Sequence, residues 1–209
     1  MTETPGQDLS RKVLNGYGRA APDLVERYEA ISSAELLKPV ARWFPASPAK
    51  VLDVGAGTGR DAAWFTSMGH DVLAVEPVAA FRSAGAERHS GLTWVDDRLP
   101  RLARVEKANL RFDLILSNGV LHHLAVVDQL AAMDCFQSLL AANGRLILSL
   151  RNGPGSQDRP AVPVSKDALV NRAADRGMSV LFQDLSRPSV QPGNRAAGVT
   201  WDWLVFGQE

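Results

Sequence analysis

The residues best suited to chemistry lie in one segment, residues 51–60, where an apolar strand runs into a glycine loop. Asp53 lies near the end of the apolar run, and Gly55, Gly57 and Gly59 follow it in the pattern G-x-G-x-G. Glycines let the backbone turn tightly and approach a ligand closely. The amides of a helix that begins directly after such a loop favour a carboxylate or a phosphate. The segment therefore predicts a site for a small polar ligand.

The spacing of the glycines separates this loop from two common nucleotide-binding loops. The dinucleotide fingerprint is G-x-G-x-x-G, whereas here Gly59 comes one residue early and Arg60 occupies the last position. A phosphate-binding loop of the nucleotide triphosphatases requires a lysine followed by Ser or Thr after its last glycine, and these residues are absent. The acidic Asp53 would repel a pyrophosphate, but it suits a ligand that carries both an ammonium and a carboxylate.

This segment resembles motif I of the class I S-adenosylmethionine-dependent methyltransferases, and the ends of the later strands are similar to further motifs of that family. Glu76-Pro77 ends the second strand, where an acidic side chain accepts both hydroxyls of a ribose. The resemblance implies that Asp97, or else Asp96, accepts a hydrogen bond from the adenine amino group of the cofactor. It also implies that the segment after the fourth strand lies beside the methionine half of the cofactor. The resulting cofactor-binding residues are Asp53, Gly55, Ala56, Gly57, Gly59, Glu76, Pro77, Asp97, Arg98, Leu99, Asn118 and Gly119.

Two adjacent histidines, His122 and His123, follow the fourth strand. A metal site is not expected, because adjacent residues rarely point at one ion and no H-E-x-x-H spacing is present. One imidazole is suited to act as a general base near neutral pH, and His123 is the candidate catalytic residue that faces the substrate. In the alternative interpretation, one histidine packs under the cofactor while the other caps the following helix.

The hydrophobic pattern after residue 49 alternates strands with helices, which predicts an α/β fold with helices on both faces of a mostly parallel sheet. Strands are expected at 50–54, 71–75, 92–95, 112–116, 145–150, 178–184 and 200–206. The last two strands have no predicted helix between them and should pair antiparallel. The resemblance implies a doubly wound seven-stranded sheet with the last strand antiparallel. One domain, 1–209, is expected, with an N-terminal helical lid at 1–49, punctuated by Pro22 and Pro45, and a Rossmann-like core at 50–209.

The composition limits the partners. Lys plus Arg and Asp plus Glu both total 23 in the 209 residues, so the net charge is zero, and no nucleic-acid partner is expected. No apolar run approaches the roughly 20 residues of a membrane helix, and no leader-like segment is visible, so a cytoplasmic location without a membrane partner is expected. The single cysteine excludes an internal disulfide.

The resemblance implies methyl transfer from S-adenosylmethionine to a small-molecule acceptor by in-line displacement, driven mainly by positioning. The Asn-Pro-Pro-Tyr signature of relatives that methylate nucleobases and glutamine is absent, which favours another substrate class. The alternatives are a cofactor-binding scaffold or regulator without catalysis, and an NAD-dependent oxidoreductase. The displaced Gly59 and the lack of a Tyr-x-x-x-Lys pair disfavour the oxidoreductase. Substrate determinants are expected within 9–44, 152–164 and 187–198.

Overall fold

The computed structural model describes residues 5–208, so residues 1–4 and 209 of the predicted domain lie outside the described residues. Seven strands are present: β1 Lys50–Val54, β2 Asp71–Val75, β3 Thr93–Val95, β4 Phe112–Asn118, β5 Leu140–Asn152, β6 Met178–Pro188 and β7 Thr200–Gln208. The described α-helices are α1 Pro5–Glu29, α2 Ser33–Leu37, α3 Arg60–Ser67, α4 Ala79–Arg88, α5 Ala103–Lys107, α6 Val126–Leu139, α7 Lys166–Ala174 and α8 Pro192–Ala196. Lys38–Trp43 and Leu121–His123 form 3-10 turns.

The seven strands form one sheet in the order β3-β2-β1-β4-β5-β7-β6. Strands β1 to β5 pair in parallel, and β7 pairs antiparallel with both β5 and β6. The predicted doubly wound α/β fold with an antiparallel last strand is thus confirmed. The strand order reverses between β1 and β4, and ligands of open α/β sheets bind at such a reversal, outside the carboxyl ends of the strands.

Two apolar clusters cover the two faces of the sheet. Successive side chains of a strand point to opposite faces, so Leu52 joins the cluster on the side of α6, while Val51 joins the cluster on the side of α3. The side chains of Leu52 and Val51 are both buried. Because the centre of the sheet is packed on both faces, its carboxyl edge can hold the loops that follow β1, β2 and β4 in fixed positions.

The helix α1 runs through Pro22, where the sequence predicted a break. Proline inside a helix removes one hydrogen bond and crowds the preceding turn. Here Ala21, Leu24 and Val25 are buried against Phe81 of α4, and this packing holds the helix together across the proline. Between Pro5 and Gln208, no helix is both long and apolar enough to cross a membrane.

The second half of the sheet differs from the prediction in two places. The strand expected at 145–150 begins at Leu140, directly after the preceding helix ends at Leu139, so Asn143 and Gly144 lie inside β5. Asn143 has a left-handed backbone with φ 63°, and the pairing of β4 with β5 is irregular there. The connection from β6 to β7, expected to be a loop, contains the short helix α8.

Candidate active site

A cavity of about 380 Å³ lies at the carboxyl ends of the central strands, between the glycine loop, α1 and the segments that follow β4 and β5. Its size falls within the range of small-molecule sites. Of the predicted site residues, only Gly59 does not line it. The predicted residues that line it are Asp53, Gly55, Ala56, Gly57, Glu76, Pro77, Asp97, Arg98, Leu99, Asn118, Gly119 and His123.

Within the loop, Gly57 and Gly59 are required for different reasons. Both have left-handed backbones, with φ 58° and 81°. A Cβ on Gly57 would stand 3.8 Å from Tyr28, at the cavity wall, whereas a Cβ on Gly59 would stand 2.7 Å from the ring of Trp94. Gly57 therefore keeps the cavity open, and Gly59 allows the loop to pack against β3.

The carboxylate of Glu76 is fixed against the glycine loop. Its Oε2 accepts the backbone N–H of Gly57 at 2.9 Å, and its Oε1 accepts that of Val78 at 2.8 Å. The side chain is almost entirely buried, and this burial raises the pKa of Glu76 to about 7. A carboxylate has about four lone-pair sites, so Glu76 can still accept hydrogen bonds from a ligand in the cavity.

Asp53 presents an unsatisfied carboxylate oxygen. The residue is buried, and its Oδ2 has no hydrogen-bond partner among residues 5–208. Burial, followed by the nearby charge of Asp61, raises the pKa of Asp53 well above its ordinary value. Buried polar atoms almost always have a partner. A ligand that brings a hydrogen-bond donor or a positive charge to this oxygen would supply one.

Asn118 is held by a network that the sequence analysis did not identify. Its Nδ2 donates to Asp61 at 3.3 Å, and its Oδ1 accepts from the hydroxyl of Ser149 at 2.6 Å. Asp61 in turn accepts two hydrogen bonds from Arg60, both 2.9 Å long. The sequence signals for this network are the arginine in the last fingerprint position and the acidic residue after it, in the first turn of α3.

Asp97, not Asp96, faces the cavity. The Oδ2 of Asp97 accepts the backbone N–H groups of Arg104 and Val105 at 2.6 and 3.1 Å, so this carboxylate also caps α5. The side chain of Asp96 is 51% exposed and pairs with Arg82 at 3.1 Å. Asp97 thus has two roles open to it: it caps the next helix, and its position on the cavity wall agrees with a ligand contact.

The His123 ring has both nitrogens engaged. Its Nδ1 lies 3.1 Å from the carbonyl oxygen of Pro160, and its Nε2 lies 2.8 Å from the hydroxyl of Tyr17. Only a protonated Nδ1 can donate to a carbonyl, so Nε2 accepts from Tyr17. Burial lowers the pKa of His123 to about 4 and raises that of Tyr17. Both groups are therefore neutral at physiological pH.

His122 is buried under its neighbour. Its ring lies 4.0 Å from that of His123 and meets the ring of Trp201 edge-on at 6.1 Å. Burial and the adjacent His123 lower the pKa of His122 well below its ordinary value. Within the described part of the chain, no group of three or more His, Cys, Asp or Glu side chains could hold a metal ion.

α1 and two late segments form the opposite wall of the cavity. Tyr17 and Tyr28 of α1 pack on Phe81 at 5.9 and 5.8 Å between ring centroids. Trp201 and Trp203 of β7 and Arg159 of the 153–165 segment also line the cavity, and the sequence analysis did not identify them. The alternating pattern Trp-x-Trp at the start of β7 was the available signal, because it places both rings on one side of the strand.

A protein-family model described as "Methyltransferase domain" matches residues 26–189. An uncharacterized methyltransferase of Oceanobacillus iheyensis, OB1106, is 24% identical over 138 residues, which are 66% of this chain. The matched region spans 60% of that relative, less than two thirds of its length.

Solved structures share the fold. The 1,6-didemethyltoxoflavin-N1-methyltransferase of Burkholderia thailandensis, solved with 1,6-didemethyltoxoflavin and S-adenosylhomocysteine, gives a TM-score of 0.73 at 21% identity over 100% of this chain and 92% of that chain. A TehB-like S-adenosylmethionine-dependent methyltransferase of Corynebacterium glutamicum gives 0.64 at 21% identity, over 91% and 99% of the two chains. At these identities, the likeness shows the fold alone.

Proposed function

The chain belongs to the methyltransferase-domain family, and we propose that it transfers a methyl group from S-adenosylmethionine to a small-molecule acceptor. The observation that carries this proposal is the pair of acidic side chains at adjacent strand ends. Glu76 is fixed to the glycine loop with acceptor capacity left over, and Asp53 has a buried oxygen that finds no partner among the described residues 5–208. A ribose and an ammonium group are the ligand groups that these two carboxylates suit.

The remaining contacts follow from the order of the strand ends around the cavity. In this assignment Glu76 accepts the ribose hydroxyls, and Asp53 with the loop from Gly55 to Gly57 holds the methionine end. The turn after β3, with Asp97 at its start, contacts the adenine. Asn118 and Gly119 lie between the donor and the acceptor. The network from Asp61 to Ser149 orients Asn118.

Bound S-adenosylmethionine supplies a methyl group that is already activated on a sulfonium. The protein's part is to hold donor and acceptor in line and to keep water out. Such positioning can lower a barrier by about 7–11 kcal/mol. The buried strand ends and the aromatic wall of Tyr17, Tyr28 and Phe81 suit this role, because rings packed against one another form a preorganised apolar wall.

We propose that His123 lies on the side of the cavity that binds the methyl acceptor. Because its Nδ1 donates to the carbonyl oxygen of Pro160, its Nε2 is the nitrogen that can take a proton from the methyl acceptor. Tyr17 donates to that nitrogen in this structure, so proton transfer requires the Tyr17 hydroxyl to turn or move away.

We further propose that residues 5–49, the described part of the predicted lid at 1–49, form a lid over the described part of the core at 50–209. The ion pair of Glu26 with Arg88 and the hydrogen bond between Glu29 and His89 Nε2 join α1 to the end of α4. Hydrogen exchange in α1 should slow when S-adenosylhomocysteine binds, and unchanged exchange would make α1 a fixed wall. The cytoplasmic location stays a prediction.

Incubation with methyl-labelled S-adenosylmethionine and a small-molecule extract tests the activity. The label should appear in small molecules with the unmodified protein and not with the Gly57→Val variant. Cofactor binding without any transfer of label would favour the non-catalytic scaffold. Label found only in nucleic acid or protein fractions would reject the small-molecule acceptor.

A further inference from the structure

Two arginines line the acceptor side of the cavity without an acidic partner. Arg151 lies near the end of β5, and Arg159 lies in the segment that follows. Neither guanidinium forms a salt bridge with any residue from 5 to 208. Arg151 donates to the carbonyl oxygen of Pro154 at 2.8 Å. The Arg159 guanidinium forms no hydrogen bond with any of the described residues 5–208. Both are only partly exposed.

Each of the two guanidinium groups lies against an aromatic ring on the cavity wall. The Arg159 guanidinium carbon is 5.2 Å from the centroid of Tyr17, and that of Arg151 is 5.7 Å from the centroid of Trp201. Contacts of this kind hold the planar groups in place. They leave N–H donors unused, because each guanidinium carries five.

The charges of Arg151 and Arg159 both act on the part of the cavity around His123. Burial lowers the pKa of Arg151, Tyr17 and Tyr28 act in the opposite direction, and the charge of Arg159 lowers it again. Both arginines also help to lower the pKa of His123. Like charges held close together and partly out of water raise the local positive potential. An anion bound between them would relieve this repulsion.

The other charged residues of the cavity are placed differently. Arg60 is paired with Asp61, and Arg187 is paired with Asp184. Asp53 and Glu76, which form no salt bridge with any residue from 5 to 208, lie at the strand ends, and Asp97 and Arg98 follow β3. The strand ends assigned to the donor thus carry more carboxylates than free arginines, while the acceptor side carries Arg151 and Arg159.

We propose that the methyl acceptor carries an anionic group, a carboxylate or a phosphate, that Arg151 and Arg159 bind. This inference rests on the proposed function, because it assigns the other half of the cavity to the methyl donor. Arginine suits both anions, since its planar fork can form two parallel hydrogen bonds with either.

Calorimetric titration of the full chain, saturated with S-adenosylhomocysteine, tests this inference. The probes are benzoate, phenyl phosphate and the neutral benzamide, each at millimolar concentration. At least one of the two anions should bind about tenfold or more tightly than benzamide, as charge-assisted hydrogen bonds imply. The probe that binds more tightly shows whether the anionic group of the methyl acceptor is a carboxylate or a phosphate. Benzamide binding as tightly as both anions, or no binding of either anion, would overturn the proposal.

Substitution of each arginine tests whether the anion binds at Arg151 and Arg159. Arg151→Gln and Arg159→Gln should each weaken binding of the preferred anion by about tenfold. Arg176→Gln is the matched control, because it removes the same charge from a residue that pairs with Asp134 and does not line the cavity, and it should leave anion binding unchanged. Equal anion binding in all three variants would overturn the assignment.

The titration with S-adenosylhomocysteine that precedes each experiment separates the two proposals. If the unmodified protein does not bind S-adenosylhomocysteine, the proposed function fails. If it binds S-adenosylhomocysteine but shows no preference for an anion, only the present inference fails.

Discussion

The carboxylate of Glu76 accepts the backbone N–H of Gly57 at 2.9 Å, so the turn after β2 is bonded directly to the glycine loop after β1. The two strands are also paired in register, with Val54 opposite Val75. The ligand-facing parts of both turns are therefore held as one unit. A change in either residue should alter binding of the methyl donor without unfolding the sheet.

The Gly57→Val variant should lose S-adenosylhomocysteine affinity by about tenfold or more while it stays folded. A side chain on this residue projects into the cavity wall near Tyr28, and the left-handed backbone costs about 1–2 kcal/mol for a residue with a Cβ. Calorimetry measures the affinity, and urea unfolding measures the free energy of unfolding.

Gly18→Ala is the control for Gly57. An added Cβ on Gly18 meets no atom within 4 Å, and the residue is exposed in α1. This variant should keep its affinity and gain about 0.5–1 kcal/mol in the free energy of unfolding. Unchanged affinity in Gly57→Val would mean that the glycine loop does not contact the donor.

The affinity for S-adenosylhomocysteine should rise with pH through about 7. Burial raises the pKa of Glu76 to about 7 from 4.5, and the charged carboxylate is the better acceptor for ribose hydroxyls. Below pH 7 the affinity should fall by up to about tenfold per pH unit. Binding at neutral pH should also release a proton, which calorimetry detects in buffers of different ionisation enthalpy.

The stability of the ligand-free protein should change in the opposite direction. Because the folded-state pKa of Glu76 lies above the unfolded value, its contribution to stability is complete below about pH 4.5 and is lost as pH rises through about 7. The Glu76→Gln variant should lack both the proton release and this pH dependence. An affinity that is flat or falls between about pH 6 and 8 would contradict the ribose assignment.

If His123 takes a proton from the acceptor, His123→Gln should lower kcat by about 100-fold or more. Tyr17→Phe should preserve or raise kcat, because it frees Nε2 of His123. The rate of label transfer to the small-molecule fraction provides the measurement. A small effect of His123→Gln on kcat combined with a raised KM would instead make His123 a positioning residue.

The strand ends were predictable because local patterns determine them. β1 and β2 have the predicted bounds, since each is a short apolar run bounded by turn-forming residues. Asp53 and Glu76 follow directly from those bounds, because the carboxyl ends of parallel strands meet at one edge. Gly59 shows the limit of this reasoning, as its packing on Trp94 depends on a strand that lies far along the chain.

The acceptor side could not be predicted in the same way. Tyr17 and His123 are 106 residues apart, and their contact depends on the path of α1 over the sheet. Local rules predicted a break at Pro22, but the buried contacts of Leu24 and Val25 with Phe81 override that preference. Tertiary packing brings Arg159 to the cavity as well. The segment 152–164, where substrate determinants were expected, contains this residue, but no spacing rule singles it out.

The most direct test of the account is a calorimetric titration of S-adenosylmethionine and S-adenosylhomocysteine into the unmodified protein and the Glu76→Ala variant, with NAD as the control ligand. Glu87→Ala is the matched variant, because Glu87 is exposed on the neighbouring helix α4. We expect dissociation constants on the order of micromolar for the unmodified protein and Glu87→Ala, a loss of about tenfold or more in Glu76→Ala, and no binding of NAD. Binding of NAD, no binding of either methionine derivative, or full affinity in Glu76→Ala would overturn the assignment of this cavity to the methyl donor.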